Sequence, residues 1–295
     1  MQPASTTALL AGVVDYAGLF PPAGLAMPKA VAEYLAALAG PGAWLLGRFV
    51  VPAARLHELA DALATLPAPR PEWRLSVIVR HGSDADCAAV TDFNNAFSRH
   101  HARVDTVESK PGAFDGIDWL VAEFGVGIDI YVEVVPGAEQ DRWLERLAAR
   151  GLRAKIRAGG VTADAFPTPQ TLAEFLAATV RHKVVFKATA GLHHAVRGRY
   201  RLTYDRGAPR ALMYGYLNVL LATAALQAGR PVAAAVALLQ RSDAATLVID
   251  DDAVRWGDDV FSLSMLRDTR ARHLVSFGSC SFTEPVDEID ALVSR

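Results

Sequence analysis

Short apolar runs rich in Val, Ile and Leu recur along this chain, and between them lie stretches whose apolar residues return every three or four positions. A continuous apolar run marks a strand buried on both faces, and the three-to-four spacing marks a helix with one wet side. The first run is Val13–Tyr16, followed by the turn-rich Gly18-Leu-Phe-Pro-Pro22. A helix is predicted from about Pro28 to Ala39, with proline tolerated in its first turn. Leu45–Val51 is the second strand and Ala53–Leu66 the helix after it. Arg74–Val79 and Asp84–Arg99 repeat the pattern. Arg103–Glu108 and Ile128–Val135 are further strands, each followed by a helix. Two more strands lie in Leu152-Arg-Ala-Lys-Ile-Arg-Ala-Gly-Gly160 and Val184-Val-Phe-Lys-Ala-Thr-Ala-Gly191, with Pro169–Arg181 as the helix between them. His273–Gly278 is the last strand.

Strands alternating with helices eight times over 295 residues predict an α/β protein, a closed (β/α)8 TIM barrel. A doubly wound open sheet is the rival, weakened because no Gly-x-Gly-x-x-Gly turn follows the first strand. The alternation breaks once. Residues 195–271 are predicted to be an insertion between strands seven and eight of one barrel domain spanning residues 1–295. The insertion holds an Arg-rich stretch (Arg197–Arg210), an apolar helix near Ala211–Ala228, a second at Pro231–Gln240, and a hairpin over Thr246–Trp256 turning at Asp250-Asp-Asp252. It either covers the barrel mouth or supplies extra core and a homo-oligomer surface.

Composition narrows the function classes. The chain is 52% hydrophobic and has a formal net charge of -2. It has no basic excess with which to neutralise phosphates, so nucleic acid is not an expected partner. No apolar run reaches the roughly 18 residues of a spanning helix, so no membrane partner is expected. The first residues lack the basic region of a signal peptide, which predicts a cytoplasmic protein. Cys87 and Cys280 are too few for a disulfide scaffold or a Cys-based metal site.

The most unusual feature is a lysine in each of two consecutive strands, Lys155 and Lys187. A buried lysine must be paired or lose its charge. Two close together favour the neutral amine, which is a nucleophile. The C-terminal ends of the strands, where such barrels carry their sites, also collect Asp15, Arg80, Asp105, Glu108, Glu133, Arg157, Thr189 and Ser279. Alternation puts Lys155 with Arg157 on one face, and Lys187 with Thr189. This cationic lining suits a small anionic or carbonyl substrate. Glu133 either meets that substrate or partners a lysine. Gly159, Gly160, Gly191 and Gly278 can bring backbone N–H groups to a phosphate, or can serve only to reverse the chain. His193 or His194 with Glu133 offers a different chemistry, metal-assisted hydrolysis or isomerisation, although adjacent histidines point apart. A third reading is a non-catalytic barrel that binds a small anion.

In order and spacing the chain resembles the deoxyribose-phosphate aldolase family. Val14-Asp-Tyr-Ala-Gly-Leu-Phe-Pro21 is similar to that family's opening strand, and Phe49-Val-Val-Pro52 to its next. Arg103-Val-Asp-Thr-Val107 resembles the strand of the catalytic Asp, and Tyr131-Val-Glu-Val that ending in Ile-Glu. Lys155-Ile-Arg-Ala-Gly-Gly160, Phe186-Lys-Ala-Thr-Ala-Gly191 and Ser276-Phe-Gly-Ser-Cys-Ser281 lie over its two lysine segments and its phosphate-binding end. The resemblance implies a (β/α)8 fold and a Schiff-base aldolase needing no cofactor. Lys155 would be the nucleophile, kept neutral by Lys187, and Lys187, Asp105 and a water would move protons. Asp15, Glu133, Arg157, Thr189 and His193 would meet the substrate. Gly159, Gly160, Gly191, Gly278 and Ser279 would hold a phosphate or another anion. Arg157-Ala158, His193-His194 and the insertion depart from the family pattern. All three touch the pocket and point to a different substrate.

Overall fold

The computed structural model describes residues 2–67, 71–97 and 101–294. A helix that sequence patterning did not single out, α1 (Ala4–Leu10), precedes strand β1 (Val14–Tyr16). The alternation then runs α2 (Met27–Ala39), β2 (Leu46–Pro52), α3 (Leu56–Ala64), β3 (Trp73–Ile78), α4 (Asp84–Phe97), β4 (Ala102–Ser109), α5 (Asp115–Phe124), β5 (Asp129–Glu133), α6 (Gln140–Ala149), β6 (Arg153–Arg157), α7 (Pro169–His182) and β7 (Phe186–Thr189). Each lies within a few residues of its predicted span. The predicted end of the fourth helix, Arg99, lies outside the described residues. α7 shows why the boundaries were readable. Pro169 opens it, the Thr168 hydroxyl accepts from the Thr171 N–H at 3.1 Å, and Lys183 ends it at a φ of 57°.

The segment after β7 is richer than predicted. Its Arg-rich part is a hairpin, β8 (Gly198–Arg201) and β9 (Arg210–Met213). Leu202, Ala211 and Met213 pack under it against Phe166. Next come α8 (Tyr216–Gln227), α9 (Val232–Gln240), a three-stranded sheet β10 (Leu247–Ile249), β11 (Ala253–Trp256) and β12 (Asp259–Ser262), and α10 (Leu263–Arg272). β13 (Leu274–Ser279) and α11 (Thr283–Val293) follow. α8 is apolar on all sides and buried from Tyr216 to Leu226, packed on α7, α9, α10 and β13. It takes the place of the barrel helix between β7 and β13, so this part of the segment belongs to the barrel's outer ring.

β13 pairs with both β7 and β1, and β1 with β2, all parallel, which closes the barrel in the order β1-β13-β7-β6-β5-β4-β3-β2. Closure rules out the open-sheet rival. The apolar core lies between strands and helices. Tyr16, Phe49 and Trp73 point outward onto Tyr34 of α2, Phe186 onto Phe175 of α7, and Phe277 onto Tyr216 of α8. The alternate, inward positions are mostly polar, and the barrel's interior is filled by hydrogen-bonded charges.

Candidate active site

Alternation turns every second strand residue into the barrel. Toward the C-terminal ends these are Asp15 on β1, Glu108 on β4, Glu133 on β5, Lys155 on β6 and Lys187 on β7, all buried. Lys155 and Lys187 face each other in register on neighbouring strands. Lys187 Nζ lies 2.5 Å from Asp15 Oδ2 and 2.7 Å from Glu108 Oε1. Lys155 Nζ lies 3.2 Å from Glu108 Oε2 and 3.2 Å from Glu133 Oε2. Lys110 closes the chain at 3.0 Å from Glu133 Oε1. Ammonium and carboxylate groups therefore alternate, three of each. The Ser276 hydroxyl donates to Asp15 at 2.8 Å and the Ser76 hydroxyl to Glu108 at 2.7 Å.

Burial alone would push Lys187 down, but the Asp15 and Glu108 carboxylates outweigh it and hold the ammonium above its ordinary pKa. Burial would likewise raise Glu108. Lys187 and then Lys155 hold it well below the usual carboxylate range. Glu133 is lowered in the same way, burial again opposing and Lys155 leading the attraction. This corrects one expectation. Lys187 does not act on Lys155 as an unscreened like charge, because Glu108 bridges the two amines.

A cavity of about 260 Å³ opens over this cluster, lined by Glu108, Lys155, Arg157, Lys187, Thr189 and His193, with Val50 and Ile78 among its apolar walls. Gly160, Gly191 and Gly278 also line it. Arg157 has no carboxylate partner among the described residues, and its side chain is exposed. His193 Nδ1 lies 3.0 Å from Ser279 Oγ, whose hydroxyl is already donated to the Ser281 carbonyl at 2.6 Å. The imidazole must then donate through Nδ1–H, which leaves the lone pair on Nε2. Burial, and then neighbouring His194, lower its pKa to about 4, so the ring is neutral near pH 7.

Other expectations fall elsewhere. Asp105 is not at this mouth. It sits where the β3–β4 register shifts, Leu75 pairing with Val104 and Ser76 with Thr106, and is the extra residue of that irregularity. It bonds Arg48 at 2.6 Å and Arg74 at 2.7 Å at the N-terminal end of the barrel. Arg80 turns outward to Asp86 at 2.7 Å. Gly159 and Gly191 make room for Phe166. A Cβ on either would lie 2.3 Å or 2.7 Å from that ring, and Gly191 also has a φ of 73°. Gly159 does not line the cavity. His194 turns to Glu288 of α11 at 2.6 Å and stacks on Tyr200. The two histidines and Glu133 therefore share no point, and among the described residues no three His, Cys, Asp or Glu side chains are grouped to hold a metal ion.

Glu108 is the residue that sequence reasoning undervalued. It was one polar residue among many at a strand end, yet it touches both lysines. Its signal was its place three residues after Asp105 on the same strand, at the carboxyl end where these barrels carry their sites. The cluster can supply an amine nucleophile, carboxylates that hold it in place, and a neutral imidazole. No protein-family model and no curated protein matches this chain.

Proposed function

We propose that this protein is a Schiff-base carbon–carbon lyase acting on a small anionic carbonyl compound, as a divergent relative of the deoxyribose-phosphate aldolase family. The (β/α)8 fold is compatible with such an enzyme. The observation that carries the reading is the Lys155 amine, set at the mouth between Glu108 and Glu133 and opening onto the cavity.

The neutral Lys155 amine, its proton released to solvent in the cavity, attacks the substrate carbonyl carbon. Loss of water leaves an iminium. The substrate's hydroxyl proton passes to His193 Nε2 as the carbon–carbon bond breaks, and the bond's electron pair moves into the iminium to form an enamine. Protonation of the enamine and hydrolysis return the amine. Lys187, held charged by Asp15 and Glu108, fixes Glu108 beside the reacting amine. Arg157, the cation of the cavity without a carboxylate partner among the described residues, receives the substrate's anionic group. Phe166 fills the space against Gly159 and Gly191, so the reading assigns no phosphate to those turns.

Incubation with aldehydes and keto acids, borohydride reduction and peptide mapping test the proposal. A reduced adduct on Lys155, absent in Lys155→Ala, is the expected result. No adduct with any carbonyl compound, or an adduct confined to surface lysines, overturns it.

A further inference from the structure

A second, larger cavity of about 590 Å³ lies beside the first, between α2 and α11. Ala36, Ala37 and Leu25 form one wall and Phe282 and Val286 the other. The exposed carboxylate of Asp287 sits on its lining, and most of its other side-chain polar groups are already hydrogen-bonded. The Tyr16 hydroxyl donates to Glu33 at 2.7 Å, the Tyr204 hydroxyl to Glu284 at 3.2 Å, and Ser281 and Thr283 share a contact at 3.3 Å. The walls therefore offer an occupant chiefly apolar surface. The turn at Gly42 closes one end, where a Cβ would lie only 2.9 Å from the Val286 methyls. At the other end Cys280 lines both this groove and the lysine cavity. Tyr204, from the loop between β8 and β9, reaches Cys280 at 3.4 Å and roofs the junction.

We propose that this groove holds an apolar chain attached to the carbonyl that Lys155 attacks, making the substrate an amphipathic aldehyde or ketone whose anionic group still meets Arg157. This rests on the Schiff-base reading of the lysine cavity. The reactive head lies among charges, its tail passes Cys280, and the hairpin β8–β9 covers the passage. The small polar cavity and the large apolar one thus become two ends of one site. Cys280 marks the junction as a small side chain, with burial raising its thiol pKa and so keeping it neutral.

The test measures borohydride trapping of propanal and octanal on Lys155, together with calorimetric binding of octanol, which cannot form an imine. Each is run on the intact protein and on Ala36→Trp. Ala36 is exposed on α2 and lines the groove, so the larger side chain narrows it without entering the core; a thermal melt confirms folding. The apparent affinity for aldehyde should rise about fourfold per added methylene, and the difference between the two aldehydes should collapse in Ala36→Trp. Octanal no better than propanal, or an advantage intact in the variant, overturns the inference and leaves the Schiff-base reading standing. Labelling by neither aldehyde overturns that reading. Octanol binding lost in Ala36→Trp would then still support the groove as an apolar-chain site, and octanol binding indifferent to the variant would overturn it.

Discussion

The two ends of this barrel are both charged and built from different cations. At the N-terminal end Arg48 and Arg74 hold Asp105, and Arg48 and Arg153 reach Asp129, around a cavity of about 330 Å³. At the C-terminal end lysines alternate with carboxylates. A guanidinium keeps its proton and forks onto carboxylates, whereas an ammonium can surrender its proton when its surroundings ask for it. On the proposed reading, one mouth holds the strands in place and the other exchanges protons.

The largest effect separating the two ends is expected from Lys155→Ala, which should lower carbonyl-dependent turnover by about a thousandfold or more. Steady-state kinetics read this, and retained activity would remove the distinction. Glu108→Gln comes next. It leaves two ammonium groups facing each other across a buried amide and should cost about 4 kcal/mol in urea unfolding, with borohydride labelling also reduced. Stability equal to the parent would show that Glu108 is not the hub of the cluster. Asp105→Asn should cost less, about 3 kcal/mol, because Arg74 is half exposed and water reaches it. Labelling of Lys155 should stay within a few-fold of the parent, and its loss would return Asp105 to the chemistry.

The smallest effect concerns pH. His193 has a pKa of about 4 when folded against an ordinary value of 6.5. Between those values the unfolded chain binds more protons, so stability falls as pH drops from about 6.5 toward about 4, by about 2.6 kcal/mol. His193→Asn should flatten that window. The carboxylates act lower. Glu108, Glu133 and Asp105 have lowered folded values. Their contribution is complete above the ordinary carboxylate range and is lost as pH falls below it. A parent and variant with identical profiles between pH 4 and 6.5 would rule out the neutral, buried imidazole.

Much of this was legible in the chain. The barrel strands announced themselves because both faces of a parallel strand are covered, and Lys155 and Lys187 because a lysine in such a run needs a partner. Asp105 was misplaced for a local reason. Simple alternation cannot see the register shift at Val104–Thr106, where Asp105 turns onto Arg48 and Arg74 while Glu108, three residues on, reaches the lysines. Phe166 was invisible because its partners are two glycines whose missing side chains carry no pattern. The hairpin β8–β9 hid behind its arginines. Arg199 and Arg201 face outward and Tyr200 inward, a period of two that a charge-rich stretch disguises.

Asp15 belongs to the first barrel strand, Lys187 to the seventh and Ser276 to the eighth, and the three meet in one hydrogen-bonded knot. The residues involved lie 172 and 261 positions apart along the chain. Contacts of that span form late in folding, after local strand–helix units have assembled. A ribosome-bound or partly folded chain holds Lys187 without Asp15 until the eighth strand joins the first. The cluster of amines and carboxylates is thus complete only at closure, and an incomplete barrel lacks its full set of partners.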